Sequence, residues 1–368
     1  MLIGIDASRA TAVERTGTEN YSLFLIRALL ELDRSNQYRL YFNHPPAPQL
    51  FDTAARVELK TMPFPRLWTH VRLSWEMATH PPDVLFVPAH VLPIVHPARS
   101  VVTVHDLGYL HYPKAHTHWA RWYLHWSTRY NARAAAHVIA DSLATKRDLT
   151  ECGYAALDKV SVVYPGYDET FAPVRDEHHL AEIRARYGLP DVYVVCVGTL
   201  QPRKNLAALL DALAELARQG RPVHLAVAGK QGWLWESLFA QVHRLGLVDR
   251  VHFLGYVPQP DLPALISGAR AFLLPSLYEG FGLPVLEAMA CGTAVICSDV
   301  SSLPEVAGDA AILVSPHDTE QLAKSLCRVL DDDEFRGELE QRGLRQVTRF
   351  SWERAAQQTL QILEAQRA

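Results

Sequence analysis

The sequence predicts an α/β protein made of two doubly wound, parallel-sheet domains. Three observations carry this. Short apolar runs rich in Val, Ile and Leu alternate with longer helix-like stretches along the 368 residues, as βα units with helices on both faces of a parallel sheet do. The runs form two series, and the length suits two ordinary domains. The chemically able side chains stand just after strands, where doubly wound domains bind ligands.

The first series places strands at residues 2–5, 38–42, 84–87, 100–104, 137–140 and 160–163, with a helix at 19–33. The second places strands at 192–197, 224–228, 251–253, 271–274, 294–298 and 311–314, with helices at 206–219, 233–245 and 319–330. Tyr164-Pro-Gly-Tyr-Asp closes the first series. Phe171-Ala-Pro-Val and the charged run at 175–179 read as a linker, giving domains at 1–173 and 174–350 that face each other across a cleft. The amphipathic stretch 352–366 follows the complete second series, and Asp331-Asp-Asp-Glu334 reads as a solvated loop.

Composition excludes several classes. Hydrophobic residues make up 49% and charged ones 21%, the profile of a soluble globular enzyme. The net charge of −4 argues against nucleic acid as a partner. It divides into +2 for residues 1–175, which hold 11 of the 17 histidines, and −6 for the rest. Cys152, Cys196, Cys291, Cys297 and Cys327 form no C-x-x-C pair, so neither a disulfide framework nor a Cys-rich zinc site is expected. Cys196 and Cys297 lie in apolar runs and read as core. Met1 leads directly into a strand-like segment, so no signal peptide is expected. No apolar run approaches the ~20 residues that cross a bilayer. A cytoplasmic setting follows, with the inner face of the cell membrane open as a peripheral location.

The most informative stretch is Phe272-Leu-Leu-Pro-Ser-Leu-Tyr-Glu-Gly-Phe-Gly-Leu-Pro-Val-Leu-Glu-Ala-Met-Ala-Cys-Gly292. A buried strand breaks at Pro275, a turn holds Gly280 and Gly282, and a helix begins with Pro284 in its first turn. Strand, glycine turn and helix start aim backbone amides at an anion. Glu279 and Glu287 flank the turn. Carboxylates suit sugar hydroxyls rather than phosphate, so a ligand with both parts, a nucleotide sugar, fits.

Glu279-Gly-Phe-Gly-Leu-Pro-x-x-Glu287 resembles the paired-glutamate motif of the retaining glycosyltransferases of family 4, the group 1 glycosyltransferases, which have the two-domain GT-B fold. The resemblance implies a first domain for the acceptor and a second for the donor, with the terminal helix at 351–368 crossing back to the first. It implies that Glu279 holds sugar hydroxyls, Glu287 the ribose, and Gly280, Phe281, Gly282 and Leu283 the phosphates. Val194-Val-Cys-Val-Gly-Thr-Leu-Gln-Pro-Arg-Lys-Asn205 follows the first strand of the second domain. The family commonly carries Arg directly after the Gly and Lys further on. Thr199 holds the first position here, Lys204 matches the second, and Arg203 is the candidate for the missing guanidinium. Cations are disfavoured at a helix N-terminus, so their presence needs a reason. A pyrophosphate would supply it. His105, after Val101-Val-Thr-Val, matches a histidine beside the sugar, and Gly17 matches the family's N-terminal glycine. Val257, in Gly255-Tyr-Val-Pro258, would pack the base, and Lys230 stands at a strand end where phosphate contact and plain solvation are equally open.

Two aromatic patterns lie outside these motifs. Trp119, Trp122, Tyr123, Trp126 and Tyr130 follow i, i+3, i+4, i+7 and i+11, which reads as a buried helix face in preference to a face at a membrane interface or lipid-linked acceptor. Trp68, Arg72 and Trp75 form an aromatic–basic patch for which core and membrane interface both remain open.

The expected function is transfer of a hexosyl unit from a nucleoside diphosphate sugar to a saccharide or lipid-linked acceptor, with retention. The Gly-Thr-x-x-Pro-Arg-Lys-Asn form with His-Asp-Leu upstream resembles bacterial mannosyltransferases of surface-polysaccharide synthesis, which favours GDP-mannose. UDP-glucose and UDP-N-acetylglucosamine stay open, and a sugar-nucleotide epimerase or a non-catalytic binding subunit are the other classes. No Asp-x-Asp element ends a strand, so neither metal nor other cofactor is expected.

Overall fold

The computed structural model describes residues 1–12, 15, 17–51, 55–89, 91–112, 118–232 and 235–366, with only the backbone of His118 and Ala120. The chain divides into two compact units, Met1–Gly166 with Phe350–Ala368, and Tyr167–Arg349.

In the first unit β1 (Leu2–Asp6), β2 (Gln37–Phe42), β3 (Val57–Thr61), β4 (Val84–Val87), β5 (Ser100–Val104), β6 (His137–Ala140) and β7 (Val160–Val162) form a parallel sheet in the order β3-β2-β1-β4-β5-β6-β7. Its helices are α1 (Gly17–Leu32), α2 (Ser74–Thr79), α3 (Gly108–His111), α4 (His118–Ala134) and α5 (Leu143–Glu151). In the second unit β8 (Val194–Val197), β9 (Leu225–Ala228), β10 (Val251–Gly255), β11 (Phe272–Leu274), β12 (Val295–Ser298) and β13 (Ala311–Val314) follow the order β10-β9-β8-β11-β12-β13. Around them lie α6 (Glu177–Tyr187), α7 (Leu206–Arg218), α8 (Glu236–Arg244), α9 (Leu262–Ser267), α10 (Leu283–Ala290), α11 (Leu303–Ala307), α12 (Thr319–Asp331) and α13 (Asp333–Val347). The chain ends in α14 (Trp352–Ala365). Each sheet reverses its winding once, between β1 and β4 and between β8 and β11. Such switch points open a crevice at the carboxyl ends of the strands.

Four local features differ from expectation. Strand β3 was not anticipated. It is a half-exposed edge strand pinned by register, with Glu58 opposite Arg39 and an Nε–Oε2 distance of 2.6 Å. The run at 175–179 is no linker: Asp176 accepts from the amides of His178 and His179 and starts α6. Residues 331–334 are a helix junction rather than a loop, because Asp332 accepts from the Phe335 amide and caps α13. Aspartate is a favoured N-cap, which is the reason in both cases.

The fourth concerns α4. Its aromatic stripe faces solvent: Trp119 is 81% exposed, and Trp122, Tyr123, Trp126 and Tyr130 are exposed with it. The buried side instead carries Ser127, Thr128, Asn131 and Ala132. Asn131 donates to Ser127 Oγ at 3.0 Å and accepts from the Leu92 amide at 3.2 Å. Small and polar residues that bond to neighbours let this helix approach the sheet, and helical spacing alone cannot say which stripe is inward. In the second aromatic group Trp68 is buried, donating to the Met62 carbonyl at 2.7 Å, while Trp75 is 68% exposed.

Helix α14 belongs to the first unit. Ser351 caps it, Trp352 stacks on Phe24 at 5.8 Å, and Leu363 is fully buried in a core with Leu25 and Leu29. Truncating such a leucine leaves a cavity, so Leu363→Ala should cost about 2–5 kcal/mol. Urea unfolding should show a lowered midpoint; an unchanged one would mean the helix end is not load-sharing with the core.

Candidate functional site

The loops after β8 and β11, on either side of the second unit's switch point, converge on one carboxylate. Glu279 is buried, and its Oε1 accepts from Lys204 Nζ at 2.7 Å and Ser276 Oγ at 2.6 Å. Its Oε2 accepts from Arg203 Nη1 at 2.8 Å, and the same guanidinium reaches the Tyr278 carbonyl. Burial alone would raise the carboxyl, but Arg203, Lys204 and the hydrogen bonds outweigh it and hold it near 2. The backbone is fastened as well. The Leu277 amide donates to the Arg203 carbonyl at 2.8 Å, and Asn205 Nδ2 donates to the carbonyls of Pro275 and Pro316. Ser302 Oγ holds the carbonyls of Glu279 and Phe281. This explains two cations ahead of α7: residues 202–204 form a 3-10 turn before the helix, and their charge answers Glu279.

Glycine is required at two places here. Gly198 has φ +149°, and an added Cβ would come within 3.1 Å of Lys204 Cε, so the lysine stem lies directly over the backbone. Gly282 caps α10 at φ +109°, where a Cβ would sit 2.7 Å from Leu303 Cδ2. The first amides of α10 have no acceptor within the helix, and Pro284 contributes none. Glu287 lies on α10, partly exposed, with its carboxyl pushed up to about 7 by desolvation and by the Asp168 carboxylate, against the pull of Lys204. Asp168 itself accepts from Gln259 Nε2 and the Thr170 amide.

The remaining second-unit residues sit around the same sheet ends. Thr199 follows Gly198 and is half-buried. The Lys230 ammonium lies 5.2 Å from the Tyr256 ring centre, a cation–π contact. Val257 is buried and Phe281 likewise.

In the first unit, β5 and β6 pair with Val104 opposite Ala140, so the next residues, His105 and Asp141, are neighbours. His105 Nδ1 donates to Asp141 Oδ2 at 2.5 Å, and Nε2 points to the Pro88 carbonyl at 3.2 Å. Burial pulls the imidazole down, yet the Asp141 charge and both hydrogen bonds raise it above its ordinary value. Tyr21 abuts the ring edge-on at 4.8 Å. His105 borders a cleft of about 250 Å³ at the switch between β1 and β4, whose lining includes Asp6, Arg9, Glu19, Asp106, Leu124 and Thr128. Arg9 and Glu19 approach to 3.6 Å. Burial raises the Asp6 carboxyl despite its bonds to Ser8. Gly17 begins α1 and is exposed; the preceding Thr16 lies outside the described residues.

The sequence-derived set is thus gathered at two places. Arg203, Lys204 and Glu279 touch one another, while Glu287, Gly282 and Leu283 stand on the adjoining helix start. His105 stands in the other unit. Sequence reasoning missed Ser276, Asn205, Ser302 and Asp141. Asp141 carried a usable signal, since it directly follows a strand as His105 does. The serines carried none.

A group whose folded pKa is raised adds stability that is complete below its unfolded pKa, ~6.5 for histidine, and lost as pH rises through the folded value. Asp141→Asn should therefore lower the His105 pKa in a histidine NMR titration. The stability gap between wild type and variant should be largest at pH 6 and shrink by pH 9; a pH-independent gap would refute the ion pair.

Residues 181–346 match the family model described as "Glycosyl transferases group 1", and residues 15–171 match "Glycosyltransferase Family 4". The chain is 30% identical over 363 residues to the O-antigen chain mannosyltransferase B of Escherichia coli, covering 94% of this chain and 95% of that protein. It is 33% identical over 224 residues to the serotype-specific mannosyltransferase WbdA of Escherichia coli, covering 60% of this chain but 27% of that longer protein. Among solved structures, HepE of Anabaena in complex with UDP and glucose superposes with a TM-score of 0.78 at 22% identity, covering 99% of each chain. Likeness at that identity establishes the fold, two Rossmann-like units of the GT-B class. With the family models filling both units and a relative aligned along nearly the whole length, the chain belongs to the group 1 glycosyltransferases of family 4.

Proposed function

We propose that the protein transfers mannose from GDP-mannose, with retention of anomeric configuration, to a hydroxyl of a saccharide or lipid-linked acceptor in cell-surface polysaccharide synthesis. The observation that carries this is the buried Glu279 carboxylate held by Lys204 and Arg203 beside the start of α10. Two cations held in fixed positions beside a helix start suit a diphosphate. The mannose assignment is supported by the relative aligned along 94% of the chain. UDP-sugars remain the runner-up donors.

The hard step is departure of the nucleoside diphosphate. Negative charge grows on the leaving oxygen while positive charge grows on the sugar. Lys204, Arg203 and the amides of Gly282 and Leu283 stabilise the departing phosphate from fixed positions, so no reorganisation is needed as charge develops. Glu279, ionised by the same cations, accepts from sugar hydroxyls, and Glu287 accepts from the ribose. Thr199 and Lys230 contact the phosphates, Val257 packs the base, and Phe281 fixes the turn. Gly17 leaves room for the donor phosphate or acceptor. The acceptor occupies the first unit's cleft, where the carboxylates of Asp6, Glu19 and Asp106 suit sugar hydroxyls. His105 supplies a charged donor through Nε2, the longer of its two bonds. The charge of the leaving group is matched by side chains and amides, so the reaction needs no metal.

Purified protein should transfer mannose from GDP-mannose to a short mannoside, with an α-linked product by NMR and undiminished rate in EDTA. Lys204→Ala should lower kcat by about 10²–10³-fold, the scale for loss of one oxyanion contact. Glu287→Ala should raise the donor KM. Wild-type kinetics in both variants would overturn the site, and transfer from UDP-sugars alone would overturn the donor.

A further inference from the structure

The first residues of the second unit run beside α10. The Val174 amide donates to Ser267 Oγ at 3.1 Å, and that hydroxyl donates to the Cys291 carbonyl at 3.3 Å, at the end of the helix. A Cβ at Gly292 would sit 3.5 Å from Pro173 Cγ. Earlier in the segment Asp168 stands near enough to Glu287 for its charge to act on that carboxyl.

Asp168 is fixed from two sides. Its Oδ1 accepts from the Thr170 amide at 3.0 Å, and its carbonyl accepts from the Phe171 amide at 2.9 Å. Its Oδ2 accepts from Gln259 Nε2. Gln259 opens the 3-10 turn just after Val257, the buried residue of the loop that follows β10. An asparagine oxygen could accept these same bonds. Hydrogen bonding therefore accounts for a polar residue at 168 but not for a negative one, and like charges set close together oppose each other's ionisation. The charged groups facing Glu287 are Asp168 and, from the turn ahead of α7, Lys204. On its own helix Cys291, a turn further on, feels Glu287 in return. Helix α13 meets α10 through Gly343 against Met289, which brings no charge.

We propose that Asp168 is a positioning residue of the nucleoside pocket: through Gln259 it fixes the loop that packs the base, and its charge, set against Glu287, governs how firmly that carboxyl holds the ribose. This rests on the reading that Glu287 meets the ribose. Ionised, Glu287 accepts from both ribose hydroxyls; protonated, it turns one oxygen into a donor and loses one of those bonds. Its carboxyl titrates at about 7. Donor affinity should therefore rise about tenfold from pH 6 to pH 8, as the ionised fraction rises.

Calorimetric titration with GDP-mannose and with UDP-glucose at pH 6, 7 and 8 tests this. Neither diphosphate diester titrates in that range, and His105 is common to every variant. Asp168→Asn should flatten the pH dependence to about twofold, by binding more tightly at pH 6. Gln259→Ala should weaken binding at every pH and keep the slope. Glu287→Gln should bind weakly and without slope. Melting of the ligand-free protein supplies a second readout. A carboxyl raised from its ordinary ~4.3 contributes stability that is lost as pH rises through the folded value. The Tm of Asp168→Asn should thus gain on that of wild type between pH 5 and pH 8. If Asp168→Asn keeps wild-type slopes in both measurements while Glu287→Gln loses them, the proposal is overturned and the ribose reading stands. If Glu287→Gln binds both nucleotide sugars as tightly as wild type at pH 8, the ribose reading falls and the proposal with it.

Discussion

One buried carboxylate organises the second unit. Glu279 arrives from the loop after β11, and its partners Arg203 and Lys204 arrive from the loop after β8. The two loops leave adjacent parallel strands paired at Phe272 and Val195, and beyond the strand ends the Leu277 amide and the ion pairs fasten them together. Removing one partner of a buried pair leaves the other uncompensated, at a typical cost of 3–5 kcal/mol. With one carboxylate between two cations, however, losing a single cation still leaves Glu279 answered. Glu287 feels Lys204 as well, so the cluster fixes where the two cations stand rather than leaving one of them unanswered.

The first unit repeats the device with the charges exchanged. His105 and Asp141 follow adjacent parallel strands, and register alone sets them side by side. Around them the cleft gathers Asp6, Glu19 and Asp106 together with Arg9, which pairs with Glu19. Similar topology thus yields a strand-end site in each unit. In the second, the long Lys and Arg side chains reach across the switch point. In the first, short Asp side chains stay close to their own strands and leave a hollow.

The sequence was legible where pattern and consequence coincide. Alternating runs located twelve of the thirteen strands of the described chain, because a buried parallel strand must be apolar on both faces. The strand missed, β3, is an edge with one solvated face. Glu279, Lys204 and Arg203 could be named because they follow strands, yet their mutual pairing could not, since it depends on which strands are adjacent. The aspartates at 176 and 332 looked like solvated charge and are helix caps, a role decided by one side-chain torsion. The serines at 276 and 302 are common residues whose importance arises only from what they touch.

Helix α4 shows how patterning can mislead in an informative way. A stripe of tryptophan and tyrosine at helical spacing is ordinarily the inner face, since burying each ring is worth several kcal/mol at ~25 cal/mol per Å². Here the inner face is Ser127, Thr128 and Asn131, and the rings are left in water. A sequence that forgoes so much burial within its own core departs from the consistency of pattern and packing expected of a folded chain. Such departures concentrate at functional surfaces. The apolar area is recovered when something apolar meets it, and on its other side the helix borders the first unit's cleft through Leu124 and Thr128.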